Sequence, residues 1–280
     1  MVCTVWSPVA GVALRLQSNH GTVNSVTSEP LLPIGNTACD IGFVFALGTE
    51  AAGLIDELNG LVTIRGAALR EHQGWLGGQQ VSIVESGVGQ AKAVSATKDL
   101  IRARQPEWVI SAGFSGSLVE SVHRGDLVVA NQLGTCQGGQ LTVDLQMEAD
   151  EQAGLHVGKI LMTDQLVSSS SSKRSLAEQF SALAVDMESF AVAEVCHQER
   201  VRFLAVRVIL DGVDDDLPGH LGKVLNAESN SERLGATLNA LFRRPSTARD
   251  LWNLRQSSLE MSNRLAKFLR SLVGQLTGDR

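Results

Sequence analysis

From Asp40 onward the chain alternates between two textures, and that alternation restricts its fold more than any other feature. Six short runs, IGFVFAL (41–47), QQVSIVE (79–85), EWVI (107–110), DLVVAN (126–131), GKILMTD (158–164) and RFLAVRVIL (202–210), are rich in β-branched and aliphatic residues. They are apolar on both faces, which only strands covered on both sides can satisfy. Between several of them lie TEAAGLIDELNG, GQAKAVSATKDLIRAR, SLAEQFSA and MESFAVAEVCHQER, whose apolar residues recur at helical period. Alternating β and α predicts a three-layer α/β/α protein around a mostly parallel, mixed central sheet with right-handed crossovers.

Composition limits what such a protein does. At 280 residues and 44% hydrophobic content there is ample material for a core. A net charge of −6 and a pI near 5.5 lack the basic footprint of a nucleic-acid surface. The four cysteines (Cys3, Cys39, Cys136, Cys196) form no C-x-x-C pair, and the six histidines show no ligand spacing. No disulfide framework and no metal are expected, and a reducing cytoplasm is the expected compartment. No apolar run reaches the roughly 18 residues that span a bilayer, and the N-terminus has no basic segment of the kind that opens a signal peptide.

Residues 1–38, with much Ser, Thr, Asn and Pro, read as a loose N-terminal extension. Residues 39–280 read as a single domain with an extended 212–250 region and a C-terminal helix. In that helix Leu251, Leu254, Leu265, Phe268, Leu269, Leu272 and Leu276 form an apolar stripe, predicted to pack on the sheet. Contact with a membrane surface or a partner is the alternative, because Arg243, Arg244, Arg249, Arg255, Arg264, Lys267 and Arg270 gather positive charge there.

In open α/β sheets ligands lie beyond the carboxyl ends of the strands. There the chain places Gly48-Thr49-Glu50, Ser86 to Gly89, Ser111 to Ser117, Asp164 to Val167, and Asp211. GVGQAK fails the dinucleotide fingerprint, because Lys92 stands where the third glycine belongs. SAGFSGS reads either as a glycine loop whose backbone approaches a ligand or as a tight strand-to-helix turn. Glu50, Glu188 and Asp211 are acids at strand ends, where helix dipoles and turn chemistry also favour them. Glu188 differs from the others because its helix face continues through Val192 and Val195 into the interior. A buried carboxylate without donors is costly, so a partner is expected.

Taken together and in this order, IGFVFALGTEAAGL, VESGVGQAKA, WVISAGFSGSL, RGDLVVAN, VDMESFAVAEVCH and FLAVRVILD resemble the methylthioadenosine/S-adenosylhomocysteine nucleosidases of the purine nucleoside phosphorylase superfamily. The resemblance covers about residues 40 to 215. It implies a nucleoside phosphorylase-like fold, hydrolysis of an adenine nucleoside to free adenine without a cofactor, and a homo-oligomer, dimer or larger. By position, Asp211 looks like the acid that donates to N7 of adenine, and Glu50 like the residue that activates water. Glu188 looks like the carboxylate that binds the ribose hydroxyls, with Met187 packing on the sugar. Arg207 matches an arginine that could hold Glu188 ionised, and Leu166 and Val167 match backbone contacts to the adenine edge. Gly113, Phe114 and Ser115 fall in the substrate-binding loop.

Two departures from the family bear on the reaction. The family loop reads more like T-G-S-A-G-G, so Phe114 occupies the usual serine position, with Ser115 beside it. Related phosphorylases carry phosphate-binding arginines at the first strand end and before the glycine loop, where this chain has Ala46 to Thr49 and Ser111. Their absence favours water over phosphate, although Ser168 to Ser172 with Lys173 and Arg174 could supply another anion site. The alternatives are a phosphorylase, one variant resembling the hopanoid-associated enzymes that act on an adenosylated lipid, and a non-catalytic nucleoside-binding domain.

Overall fold

The computed structural model describes residues 4–6, 13–15, 38–66, 69–144, 146–216 and 250–277. Most of the expected 1–38 extension, and residues 217–249 of the expected 212–250 region, lie outside the described residues.

The central sheet runs in the order β4 (Asn59–Arg65), β5 (Arg70–Leu76), β6 (Gln79–Glu85), β3 (Ile41–Phe45), β7 (Trp108–Ser117), β13 (Arg202–Asp211), β8 (Leu127–Thr135), β11 (Leu155–Met162), β12 (Ala184–Asp186), with β9 (Gln140–Thr142) on β8. The β6–β3–β7–β13 and β8–β11–β12 pairings are parallel, while β13–β8 is antiparallel. Strand β12 also pairs antiparallel with β7, so β7, β13, β8, β11 and β12 close into a ring. A separate three-stranded sheet joins β1 (Thr4–Trp6), β2 (Ala13–Arg15) and β10 (Gln146–Met147).

Alternation along each strand sorts the core onto two faces. On β3, Ile41, Phe43 and Phe45 pack with Ala51 and Leu54 of α1 (Gly48–Asp56) and with Leu265, Leu269, Leu272 and Val273 of the last helix, α5 (Asp250–Thr277). Val44, Val84 and Val109 face the other way, toward Ala93, Ala96 and Leu100 of α2 (Gln90–Arg104) and Val192, Val195 and Cys196 of α4 (Ser189–Glu199). This is the three-layer mixed α/β arrangement expected from the sequence. The apolar stripe of α5 is spent inside the molecule: Leu265, Leu269, Leu272 and Leu276 are buried. Two of its basic residues make internal contacts, Arg264 with the Ala153 carbonyl and Arg270 with Glu57. Among the described residues no helix is long and apolar enough to cross a membrane.

Two features escaped the sequence reading. The β4–β5 hairpin was not anticipated; its edge strand β4 carries Leu61, Val62 and Ile64 yet is exposed along its whole length. SAGFSGS is neither a loop nor a turn, because β7 continues as strand through Ser117. Its glycines have another purpose, which the site explains.

Candidate active site

Glu50 lies in the first turn of α1, three residues past the N-cap Leu47, and reaches back so that Oε2 accepts the Leu47 N–H at 2.8 Å. Its Oε1 accepts the Phe114 N–H of β7 at 2.9 Å. A Cβ on Gly113 would stand 2.9 Å from that same Oε1, so glycine is what lets the carboxylate lie flat on the strand. Burial raises the Glu50 pKa; the two amide donors and the field of Arg207 work against that rise.

Asp211 sits where β13 is irregular. Ile209 pairs with Ser115 and Asp211 with Gly116, leaving Leu210 as an extra residue, a bulge that re-aims the strand end. A Cβ on Gly116 would lie 3.0 Å from Asp211 Oδ2. Gly113 and Gly116 therefore seat the two carboxylates at points three residues apart on β7, about 10 Å along an extended strand. Neither glycine has a positive φ, so turn geometry does not explain them.

Glu188 is the N-cap of α4, and its Oε1 accepts the N–H of Gly89 at 2.8 Å. Gly89 holds φ at +104°, a conformation open to glycine and strained for other residues, so the second glycine of GVG aims an amide at Glu188. Although Glu188 keeps some surface accessibility, its carboxyl is pushed up to about 8, first by burial and then by repulsion from Asp186.

Arg207 does favour the ionised form of Glu188, although burial and Asp186 outweigh it, and its hydrogen bonds go to other groups. The guanidinium is committed elsewhere: Nε donates to Asp186 Oδ2 at 2.7 Å, and the other nitrogens bond the Ser111 carbonyl, the Ser111 hydroxyl and the Val206 carbonyl. Ser189 completes the shell of Asp186 through its hydroxyl at 2.8 Å. The Asp186–Arg207–Ser111 group was missed in sequence. Arg207, Ser111 and the acid two residues before Glu188 are each visible there, but not their contact.

Glu50, Gly113, Phe114, Glu188 and Arg207, with Ser86 and Ser111, line one small cavity of about 10 Å³, room for roughly a single water. Leu166 and Val167 lie apart from it, in an open groove of about 700 Å³ shared with Cys136, Thr163, Asp164 and the serines of α3 (Ser170–Phe180). Met187 is half-buried, and the hydroxyl of Ser115 is buried without a hydrogen-bond partner.

The conditional anion site at Ser168 to Arg174 does not form. Ser169 caps α3 by accepting the Ser172 N–H, and Arg174 pairs with Glu120 and Asp214. Lys173 is fully buried, with its ammonium on Asp211 Oδ2 and the carbonyls of Gly212 and Asp215. Lys173 is thus committed in the interior, while Arg174 is paired at the surface. Among the described residues no group of His, Cys, Asp and Glu could hold a metal ion.

The chain matches the family model of the phosphorylase superfamily over residues 40–146 and 135–243. It is 30% identical over 195 residues to the 5'-methylthioadenosine/S-adenosylhomocysteine nucleosidase of Staphylococcus epidermidis, covering 61% of this chain and 86% of that protein. The chain belongs to this nucleosidase family of the phosphorylase superfamily. The Staphylococcus haemolyticus nucleosidase is similar at 28% identity, with the same coverage. Among solved structures, the nucleosidase of Streptococcus pneumoniae with the transition-state inhibitor MT-ImmA superposes with a TM-score of 0.62 at 20% identity, covering 84% of this chain and 99% of that one. The Helicobacter pylori nucleosidase gives 0.62 at 22% identity, with 86% and 100% covered. The family's nucleosidase members thus share both the sequence pattern and the three-layer architecture with this chain.

Proposed function

We propose that the protein hydrolyses the N-glycosidic bond of adenine nucleosides of the methylthioadenosine or S-adenosylhomocysteine type, releasing free adenine. The observation that carries this reading is the cavity lined by both Glu50 and Glu188, with Asp211 at the end of β13, the strand paired with β7. A glycosidic hydrolysis needs a proton donor for the leaving base and, on the opposite face of the sugar, a base for water, with room between them.

In this mechanism Glu188 accepts the ribose 2' and 3' hydroxyls and stabilises the cationic sugar, with Met187 against its face. Asp211 gives its proton to N7 as the C1'–N9 bond breaks and its electron pair moves onto the purine. Water, held at Glu50 by lone pairs that the Leu47 and Phe114 amides leave open, adds its oxygen to C1' and its proton to Glu50. Leu166 and Val167 meet the adenine edge; Gly113, Phe114 and Ser115 form the strand on which the substrate rests. Arg207 acts through Asp186, which it keeps paired. Hydrolysis is favoured over phosphorolysis because, among the described residues, the guanidinium lining the cavity is already committed to Asp186 and Ser111.

The same reading includes self-association and a reducing, cytoplasmic setting. Exposed Leu61, Val62, Ile64 and Trp75 on the β4–β5 hairpin support the first; the free thiols of Cys39, Cys136 and Cys196 accord with the second. The deciding experiment follows adenine release from methylthioadenosine, S-adenosylhomocysteine and adenosine, with and without phosphate, and identifies the sugar by mass. Adenine with free sugar in phosphate-free buffer is the expected result. Release only with phosphate, as a sugar 1-phosphate, moves the protein to the phosphorylases. No release with tight binding makes it a binding domain.

A further inference from the structure

We propose that Lys173 is a positioning residue for Asp211, fixing the orientation of its carboxyl and the pH at which it can give up a proton; this rests on the nucleosidase reading of the site. Lys173 is the fourth residue of α3, the helix that also walls the groove containing Leu166 and Val167. Its side chain is fully buried, which a lysine tolerates only with its charge met and its donors used. An ammonium has three N–H donors. All three are placed: one on Asp211 Oδ2 at 2.5 Å, one on the Gly212 carbonyl at 2.7 Å, one on the Asp215 carbonyl at 2.9 Å. With Gly116 on its other side, Oδ2 of Asp211 is clamped between a strand backbone and a cation. The remaining oxygen is the one left to meet a base.

The charged groups around Asp211 divide by element. Lys173 faces it from α3 and Arg124 from the turn before β8, both favouring the ionised form; Asp215, from the segment after β13, opposes it. A general acid works best when its proton is neither lost at the working pH nor held too tightly to leave. Burial alone drives Asp211 toward the second failure, and the Lys173 ammonium is the largest counterweight. A lysine serving only to tie α3 to the 212–215 segment would need its two carbonyl contacts alone. The contact with the carboxylate gives it a second effect, and that effect is measurable.

The test compares kcat/KM for adenine release against pH in the parent protein, Lys173→Met, Lys173→Gln and Lys173→Arg. Removing the ammonium is expected to move the alkaline limb upward by about one pH unit or more and to lower kcat by about 10- to 100-fold as the carboxyl loses its orientation. Lys173→Arg restores the limb. Lys173→Gln removes the charge but keeps two N–H donors on a side chain one atom shorter, so it reads the same limb if Lys173→Met does not fold. A limb that stays in place while the rate drops overturns the proposal and leaves Lys173 a structural tie. A parent protein that releases no adenine defeats the underlying reading instead, and the proposal with it.

Discussion

Replacing Gly113 with alanine tests whether β7 is the surface on which the Glu50 carboxylate, the proposed base for water, rests. A Cβ at this position lies 2.9 Å from Oε1 of Glu50, 3.1 Å from Cδ and 3.2 Å from Oε2, whereas ordinary contact begins at 3.4 Å. The carboxylate must therefore withdraw by the difference between 2.9 and 3.4 Å, about 0.5 Å. It has little freedom to do so, since both oxygens are tied to backbone amides, Leu47 on its own turn and Phe114 on the strand. The bond that yields is the one to Phe114, because alanine pushes Glu50 away from β7. Overpacking of this kind costs about 1–3 kcal/mol, and weakening a hydrogen bond to a charged group is of similar size. For a chain this long each kcal/mol lowers Tm by roughly 2–4 °C. If Glu50 is the base, as proposed, displacing it by a fraction of an ångström is expected to lower kcat by about 10- to 100-fold. Gly274→Ala is the matched control: it lies on an exposed face of α5 with nothing within 4 Å of a new Cβ, and alanine is the better helix former there. Adenine release followed by absorbance, with a melting curve on each variant, reads both quantities. Full activity and an unchanged Tm in Gly113→Ala would refute the claim that Glu50 needs the glycine.

Glu188 must be ionised to accept the ribose hydroxyls, so with its carboxyl pushed up to about 8, kcat/KM should rise with pH to a limb near that value. Glu188→Gln should remove the limb and cost about 100-fold in rate; near-normal turnover would sink its assignment. The same raised pKa means the folded protein holds this proton more tightly than the unfolded chain does. Its contribution to stability is full below the unfolded value and is lost as pH rises through about 8. Glu188→Gln should therefore melt above the parent at about pH 9, with the gap closing in acid; a gap that persists at acid pH counts against that assignment. Arg207→Met strands a buried carboxylate at Asp186 and should cost about 3–5 kcal/mol in denaturant unfolding; a loss under 1 kcal/mol would mean the pair is not holding the pocket. Asp211→Asn should depress adenine release strongly while nucleoside binding survives in calorimetry; a flat rate would place the proton donor elsewhere. Gly53→Ala puts a Cβ 2.7 Å from the Ser262 carbonyl oxygen, a backbone atom that cannot swing aside. It should loosen the α1–α5 packing by about 1–3 kcal/mol, read in the melting curve.

The sequence by itself determined the layers, and it marked the strand ends and the three acids on which the proposed mechanism rests. Doubly apolar strands can be buried only beneath helices, and the acids fall at strand ends whatever the details of packing. It also marked Glu188 as a carboxylate in need of a partner, since the face it shares with Val192 and Val195 is buried. What it left open were contacts between distant positions. Nothing local distinguishes a glycine that turns the chain from one that admits a carboxylate, so the reason for Gly113 and Gly116 appeared only once Glu50 and Asp211 were laid against β7. Arg207 looked available to Glu188 along the chain; in space its guanidinium bonds Asp186, and both are buried. Lys173 read as a free cation beside a serine run, and became the buried partner of Asp211 only when α3 packed over the end of β13. A sequence pattern records how each residue sits relative to its own backbone; which charges meet is decided by packing, where a few ångströms and the exclusion of water set the energies.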